Sequence, residues 1–248
     1  MKKGFVTFVN ADPTYSALND ILIESVLNFT DLPIEVNSIN FNFKHSSERV
    51  YCKRINIQTE DYSNICYAKT TASLNTNFDV ALQLDSDMII TKESVQLFDL
   101  IDPDERFVLG SLHPKDPCNQ GNIMSYYGID KKTQPYIHAT YLFTKNSKDF
   151  LSEVEEMKNH LIKKQITPIN FDETILNCAL WKHNRKTSFT DCYDPYFELF
   201  FCLTPRKPLY AGYENLPKVK HLICHGCKDP IVAKKIYEEI SRDIVCEL

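Results

Sequence analysis

The chain has 248 residues, 43% hydrophobic and 25% charged, with 28 Lys and Arg against 33 Asp and Glu for a net charge of −5. That suits one α/β domain with a sizeable core and the composition of a soluble globular protein. No Lys/Arg block marks a nucleic-acid surface, and no apolar run approaches the ~18 residues of a membrane span.

Phe5 to Val9 reads as a first buried strand. The basic start Met1-Lys2-Lys3 is signal-like, but the apolar stretch is short and runs into Asn10-Ala11-Asp12-Pro13, so a strand is expected. Asp12 suits a helix cap and Pro13 the first helical position, and Leu18, Ile21, Leu22, Val26 and Phe29 recur at helical spacing. Ligands in open α/β sheets bind outside the carboxyl ends of strands, which makes Asn10, Ala11 and Asp12 candidate ligand-loop residues. Asp12 reads equally well as a cap alone.

Leu32 to Ile39 and Val50 to Ile57 read as strands, and Ser63 to Leu74 as a helix with Lys69 inside it. Phe78 to Ile90 is an apolar run broken by Asp85-Ser86-Asp87. Burying Asp is costly unless it is paired or bound to metal, so both carboxylates are expected where a strand leaves the sheet, able to share a cation. An ordinary polar turn is the alternative. Thr91 to Ser94 is an N-cap signature ahead of Val95, Leu97, Phe98 and Leu100.

Phe107 to Leu112 is another strand, followed by a long loop, His113 to Gln134. Tyr136 to Thr144 is a strand with a polar interruption, His138-Ala139-Thr140. Two helices follow, Ser147 to Lys164 and Phe171 to Lys182. The second opens on Asp172-Glu173, which reads either as capping charge or as active-site carboxylates. Pro195 to Leu203 is aromatic and extended, Val219 to Cys224 a late strand ending in His225-Gly226, and Pro230 to Val245 a final amphipathic helix. With no repeat, low-complexity tract or linker, residues 1–248 read as a single domain.

The six glycines (4, 110, 121, 128, 212, 226) form neither a dinucleotide fingerprint nor a P-loop. Any phosphate must then be held by metal, Lys or Arg, or a helix N-terminus. Asp85 and Asp87 supply oxygen ligands suited to Mn²⁺ or Mg²⁺. His225 and His221 compete as the third ligand, and His225 is favoured by its place at a strand end. Lys228, three residues after His225, reads either as a group that reaches a diphosphate or as a solvated lysine. Cys224-His225-Gly226-Cys227 lacks the second pair of a zinc site, and the nine cysteines (an odd, scattered set) suggest reduced thiols and a cytoplasmic location.

In order, these features resemble a GT-A glycosyltransferase, most similar to the family 8 type of glycogenin and bacterial galactosyltransferases. The resemblance implies a mixed, mostly parallel sheet flanked by helices. It also implies transfer of a sugar from a nucleotide-diphosphate donor, UDP favoured, to a carbohydrate or other hydroxyl acceptor, with retention. On that resemblance Asp85, Asp87 and His225 hold Mn²⁺ or Mg²⁺. Asn10, Asp12, Tyr15, Lys69, Ser86 and Lys228 meet the donor, and Asp172 and Glu173 act at the sugar. His138-Ala139-Thr140 departs from the family's Asn-Ala-Gly, and Asp172-Glu173 from its Asp-Gln. The alternatives are a nucleotidyltransferase, or a silent carbohydrate-binding protein on the same fold.

Overall fold

The computed structural model describes residues 1–57, 68–112, 121–164, 166, 172–184, 222–224 and 228–245. Its centre is β1 (Lys3–Val9), whose residues alternate between two apolar clusters. Val6 and Phe8 face one, and Phe5 and Val9 the other. A strand buried on both faces needs cover on both sides. α1 (Pro13–Phe29) supplies one cover through Leu22, Ile23 and Val26. α2 (Ala68–Asn75), α4 (Lys148–Lys163) and α5 (Asp172–Lys182) supply the other.

β2 (Ile34–Ile39), β3 (Val50–Ile55) and β4 (Val80–Gln83) complete a parallel block with β1. β6 (Leu109–Leu112) and β7 (Ile137–Thr144) extend it, β7 lying antiparallel to both β4 and β6. The order is β3-β2-β1-β4-β7-β6. β1 and β4 therefore end on the edge where β7 begins. Gln83 faces Tyr141, and continuing that register brings Asp85 level with Ala139. No described helix is long and apolar enough to cross a membrane.

The run from Phe78 to Ile90 is two strands. Leu84 still donates to Val6 O at 2.8 Å, then a turn closes from Met88 N to Asp85 O at 3.2 Å. β5 (Met88–Ile90) leaves the main sheet and pairs antiparallel with β8 (Leu222–Cys224). Ile90 N donates to Ser25 Oγ of α1 at 3.2 Å. Carboxylates that need solvent or a cation cannot continue a doubly buried strand, so the chain turns out at Asp85. The 113–134 stretch, expected as a loop, contains α3 (Gly121–Tyr126), too short to show a period. Lys92–Asp99 folds as a 3-10 helix. α6 (Pro230–Val245) packs Ala233, Ile236 and Tyr237 against Leu18 and Ile21 of α1. The extended reading of Pro195 to Leu203 lies outside the described residues.

Asn177 locks α5 onto the site edge of β7. Its amide donates to Ile137 O and Glu173 O at 2.8 Å each and accepts from Ile137 N at 2.8 Å, fully buried. Removing such a hub leaves buried backbone groups unsatisfied. Asn177→Ala is expected to cost about 2–4 kcal/mol in denaturant unfolding; a loss under about 1 kcal/mol would contradict this role.

Candidate functional site

Lys69 stands at the centre of the site. It sits in the first turn of α2, only 5% exposed. Its ammonium lies 2.9 Å from Asp85 Oδ1 and 2.9 Å from Asp172 Oδ2. Burial alone would lower its pKa, but Asp172, Asp85 and Glu173 more than offset this and hold it well above the usual lysine value. Asp172 Oδ2 takes the ammonium at ion-pair distance without an aligned hydrogen bond. Burial, with Asp85 adding to it, leaves the Asp172 carboxyl above its usual range despite Lys69.

Ser86 is buried between Asp85 and Asp87, which both keep partial exposure. The Asp87 carboxyl is pushed up by burial and then by Asp85, with Lys228 and Lys69 opposing. Lys228 reaches the same place from two residues ahead of α6. Its ammonium bonds the Tyr15 hydroxyl and lies 4.5 Å from the centre of that ring. Burial would depress Lys228, but Tyr15, Asp87 and Asp85 hold it above the usual lysine value. Asp12 is the exposed cap of α1, accepting from Thr14 N at 2.8 Å and Tyr15 N at 3.4 Å. Asn10 is buried and accepts from Asp12 N at 3.4 Å. The geometry thus brings Asp85, Asp87, Lys69, Lys228, Asp172 and Glu173 together, and hangs Tyr15 on the same cluster.

Four carboxyls, Asp85, Asp87, Asp172 and Glu173, face two ammoniums, Lys69 and Lys228. Fully ionised, they leave a surplus of two negative charges in a half-buried place, which costs free energy unless a cation joins. Asp85 and Asp87 are the hard oxygen donors suited to one. Among the described residues no three His, Cys, Asp or Glu side chains make a metal-binding group. His221, His225 and the aromatic stretch from Tyr193 lie outside the described residues.

Glu173 projects from the N-terminal turn of α5 and accepts from Ala139 N at 3.4 Å. Burial and then Asp172 push its carboxyl from 4.5 up to about 7. The unfolded chain releases this proton near 4.5 while the folded chain keeps it. Stability from the neutral form is therefore present below 4.5 and lost as pH rises through about 7. Glu173→Gln mimics the neutral form. Its melting point should match wild type near pH 4.5 and exceed it at pH 8 by the equivalent of roughly 1–3 kcal/mol. Parallel pH profiles would contradict the assignment.

Sequence reasoning missed a polar chain beneath Lys69. Tyr141 and Ser73 hydroxyls lie 3.1 Å apart, Ser73 donates to Gln83 Oε1 at 2.9 Å, and Gln83 donates to Leu84 O at 3.1 Å. All three are buried, and burial holds the Tyr141 hydroxyl above its usual pKa. The signal was there: Gln83 is a polar residue inside an apolar strand, two positions before Asp85.

The open sheet, with an acidic turn beyond its central parallel strand and a small antiparallel pair beside it, matches the GT-A fold of a solved glycosyltransferase. The galactosyltransferase LgtC, in complex with donor and acceptor sugar analogues, aligns with a TM-score of 0.51 at 16% identity, over 70% of this chain and 69% of its own. The apo-form glycosyltransferase GlyE of Streptococcus pneumoniae TIGR4 aligns at 0.49 and 16% identity, over 73% of this chain; this chain covers 43% of GlyE. No family profile and no curated sequence matches the chain.

Proposed function

We propose that this chain, as a single domain over residues 1–248, is a metal-dependent glycosyltransferase. It takes a sugar from a UDP-sugar and passes it to a carbohydrate or other hydroxyl acceptor, with retention. The clustering of Asp85 and Asp87, where the sheet ends, with Asp172 and Glu173 around Lys69 and Lys228 carries the reading: fully ionised, the carboxyls outnumber the ammoniums by two. The GT-A fold shared with LgtC, which holds donor and acceptor sugar analogues, supports it.

Bound Mn²⁺ or Mg²⁺ would be held by Asp85, Asp87 and His225 and would neutralise the diphosphate as it leaves. An imidazole beside two carboxylates favours Mn²⁺. His225 is proposed from the flanking chain: Cys224 pairs with Met88, next to Asp87, and Lys228 is held beside Asp87. Lys228 adds positive charge at the same phosphates. Asn10, Asp12, Tyr15 and Ser86 line the nucleoside end, and Lys69 orients Asp85 and Asp172 toward the donor. Asp172 and Glu173 face the transferred sugar, where negative charge stabilises an oxocarbenium-like transition state.

A second reading has Glu173 as a base. A carboxyl near pKa 7 is poised to take a proton from the acceptor hydroxyl at neutral pH, which an inverting reaction requires. The anomeric configuration of the product decides between the two.

The experiment is a hydrolysis screen of nucleotide-sugars with Mn²⁺. Slow release of UDP from one donor, stopped by chelation, is the expected result. Failure across the panel with sugar binding intact would make the chain a silent binding protein. Turnover of a nucleoside triphosphate with a sugar phosphate would make it a nucleotidyltransferase.

A further inference from the structure

A cavity of about 880 Å³ opens at the other end of the sheet from the acidic turn. It lies where β7 ends, α4 begins and α5 finishes, among Asp104, Phe107, Lys145, Asp149 and His183. Glu173 sits against Ala139 and the cavity begins at Lys145, six residues further along, roughly 20 Å at ~3.3 Å per residue. It therefore belongs to neither the acidic turn nor the donor groups.

Its floor is aromatic. Phe107 lies 5.2 Å from Phe150 between ring centres, and the exposed His183 ring packs edge-on to both, at 5.4 and 6.0 Å. Glu153 is already spent on Lys182 at 2.7 Å and on His183. Lys145 leans to Asp79 at 3.7 Å. Arg106, Asp104 and Asp149 remain exposed, with no ion pair among the described residues. Asn146 donates to Pro103 O at 3.3 Å, which leaves its carbonyl oxygen free to accept.

The charges narrow the ligand. The turn leading into α4 has spent its amides: Lys145 N donates to Asp79 O at 2.8 Å and Asn146 N to Thr144 Oγ1 at 3.0 Å. Asp104 and Asp149 at the mouth offset Arg106 and Lys145, so an anion finds no net attraction there. The described residues offer no group of three metal donors. What remains is a balanced set of donors (Arg106, Lys145) and acceptors (Asp104, Asp149, Asn146) around aromatic rings. Hydroxyls that both donate and accept match that set, and the weakly positive C–H face of a sugar ring packs on a π-face.

We propose that this cavity is a second carbohydrate site, taking a neutral saccharide. It does not depend on the transferase reading. Trp181, the one tryptophan in the sequence, lies two residues before His183 and gives a fluorescence readout.

The test titrates lactose, maltose and a longer maltooligosaccharide into the full chain, by Trp181 fluorescence and by saturation-transfer NMR. Saturable binding is expected, weakened about fivefold or more in Arg106→Ala and in Asp149→Ala, since each loses about one hydrogen bond to a charged group. Both residues are exposed, so melting points should hold. Binding should survive in Asp87→Ala, which separates this cavity from the donor site. Affinity that rises with chain length marks a polymer as the occupant, and equal affinity marks a small free sugar. No binding up to about 20 mM, or equal binding by both cavity variants, overturns the proposal.

Discussion

Asp87→Ala is expected to lower sugar transfer from the preferred UDP-sugar by at least about 100-fold while leaving the fold intact. The two halves of that expectation share a cause. Burial and Asp85 oppose the charge on Asp87 in the folded chain. Removing that carboxyl therefore sheds a destabilising group, and the melting point should stay level or rise. The same side chain is needed to hold a cation on the diphosphate, so binding of that cation should be lost. Loss of activity together with loss of fold would point to a structural carboxylate instead. Transfer within about tenfold of wild type would remove Asp87 from the metal site.

Lys69→Met carries the second large effect, and here stability should fall. Lys69 is 5% exposed, and its ammonium serves Asp85 and Asp172 at 2.9 Å each. Methionine keeps the volume and removes the charge, leaving two carboxylates facing each other with Glu173 close by. Breaking a buried pair typically costs 3–5 kcal/mol; Asp85 keeps some solvent, so about 2–4 kcal/mol is expected here. For a chain of this size that lowers the melting point by roughly 4–16 °C. The loss should shrink in acid, where the orphaned carboxyls take up protons. An unchanged melting point at neutral pH would contradict the central place given to Lys69.

Much of this was legible in the sequence because it is local. Asp12-Pro13 marked the start of α1, and the bounds of α6 are those of the apolar period itself. The acidic triplet stood out because carboxylates cannot stay inside a doubly buried strand. What could not be read is non-local. Nothing near Lys69 names Asp172, which is 103 positions away along the chain, as a partner. Continuous apolarity from Met88 to Ile90 looks the same whether the strand stays in the sheet or pairs with β8. The chain from Ser73 to Gln83 to Tyr141 forms only when α2, β4 and β7 meet. Tyr15 gained its place from Lys228, brought in from the far end of the sequence.

The central claim, that Asp85 and Asp87 hold a cation on a nucleoside diphosphate, is tested most directly by calorimetry of UDP on the wild-type chain, with Mn²⁺ and after chelation. UDP is expected to bind with Mn²⁺ present and to lose at least about tenfold in affinity without it, a coupling of about 1.4 kcal/mol or more. Equal binding with and without metal, or no binding in either case, would contradict it.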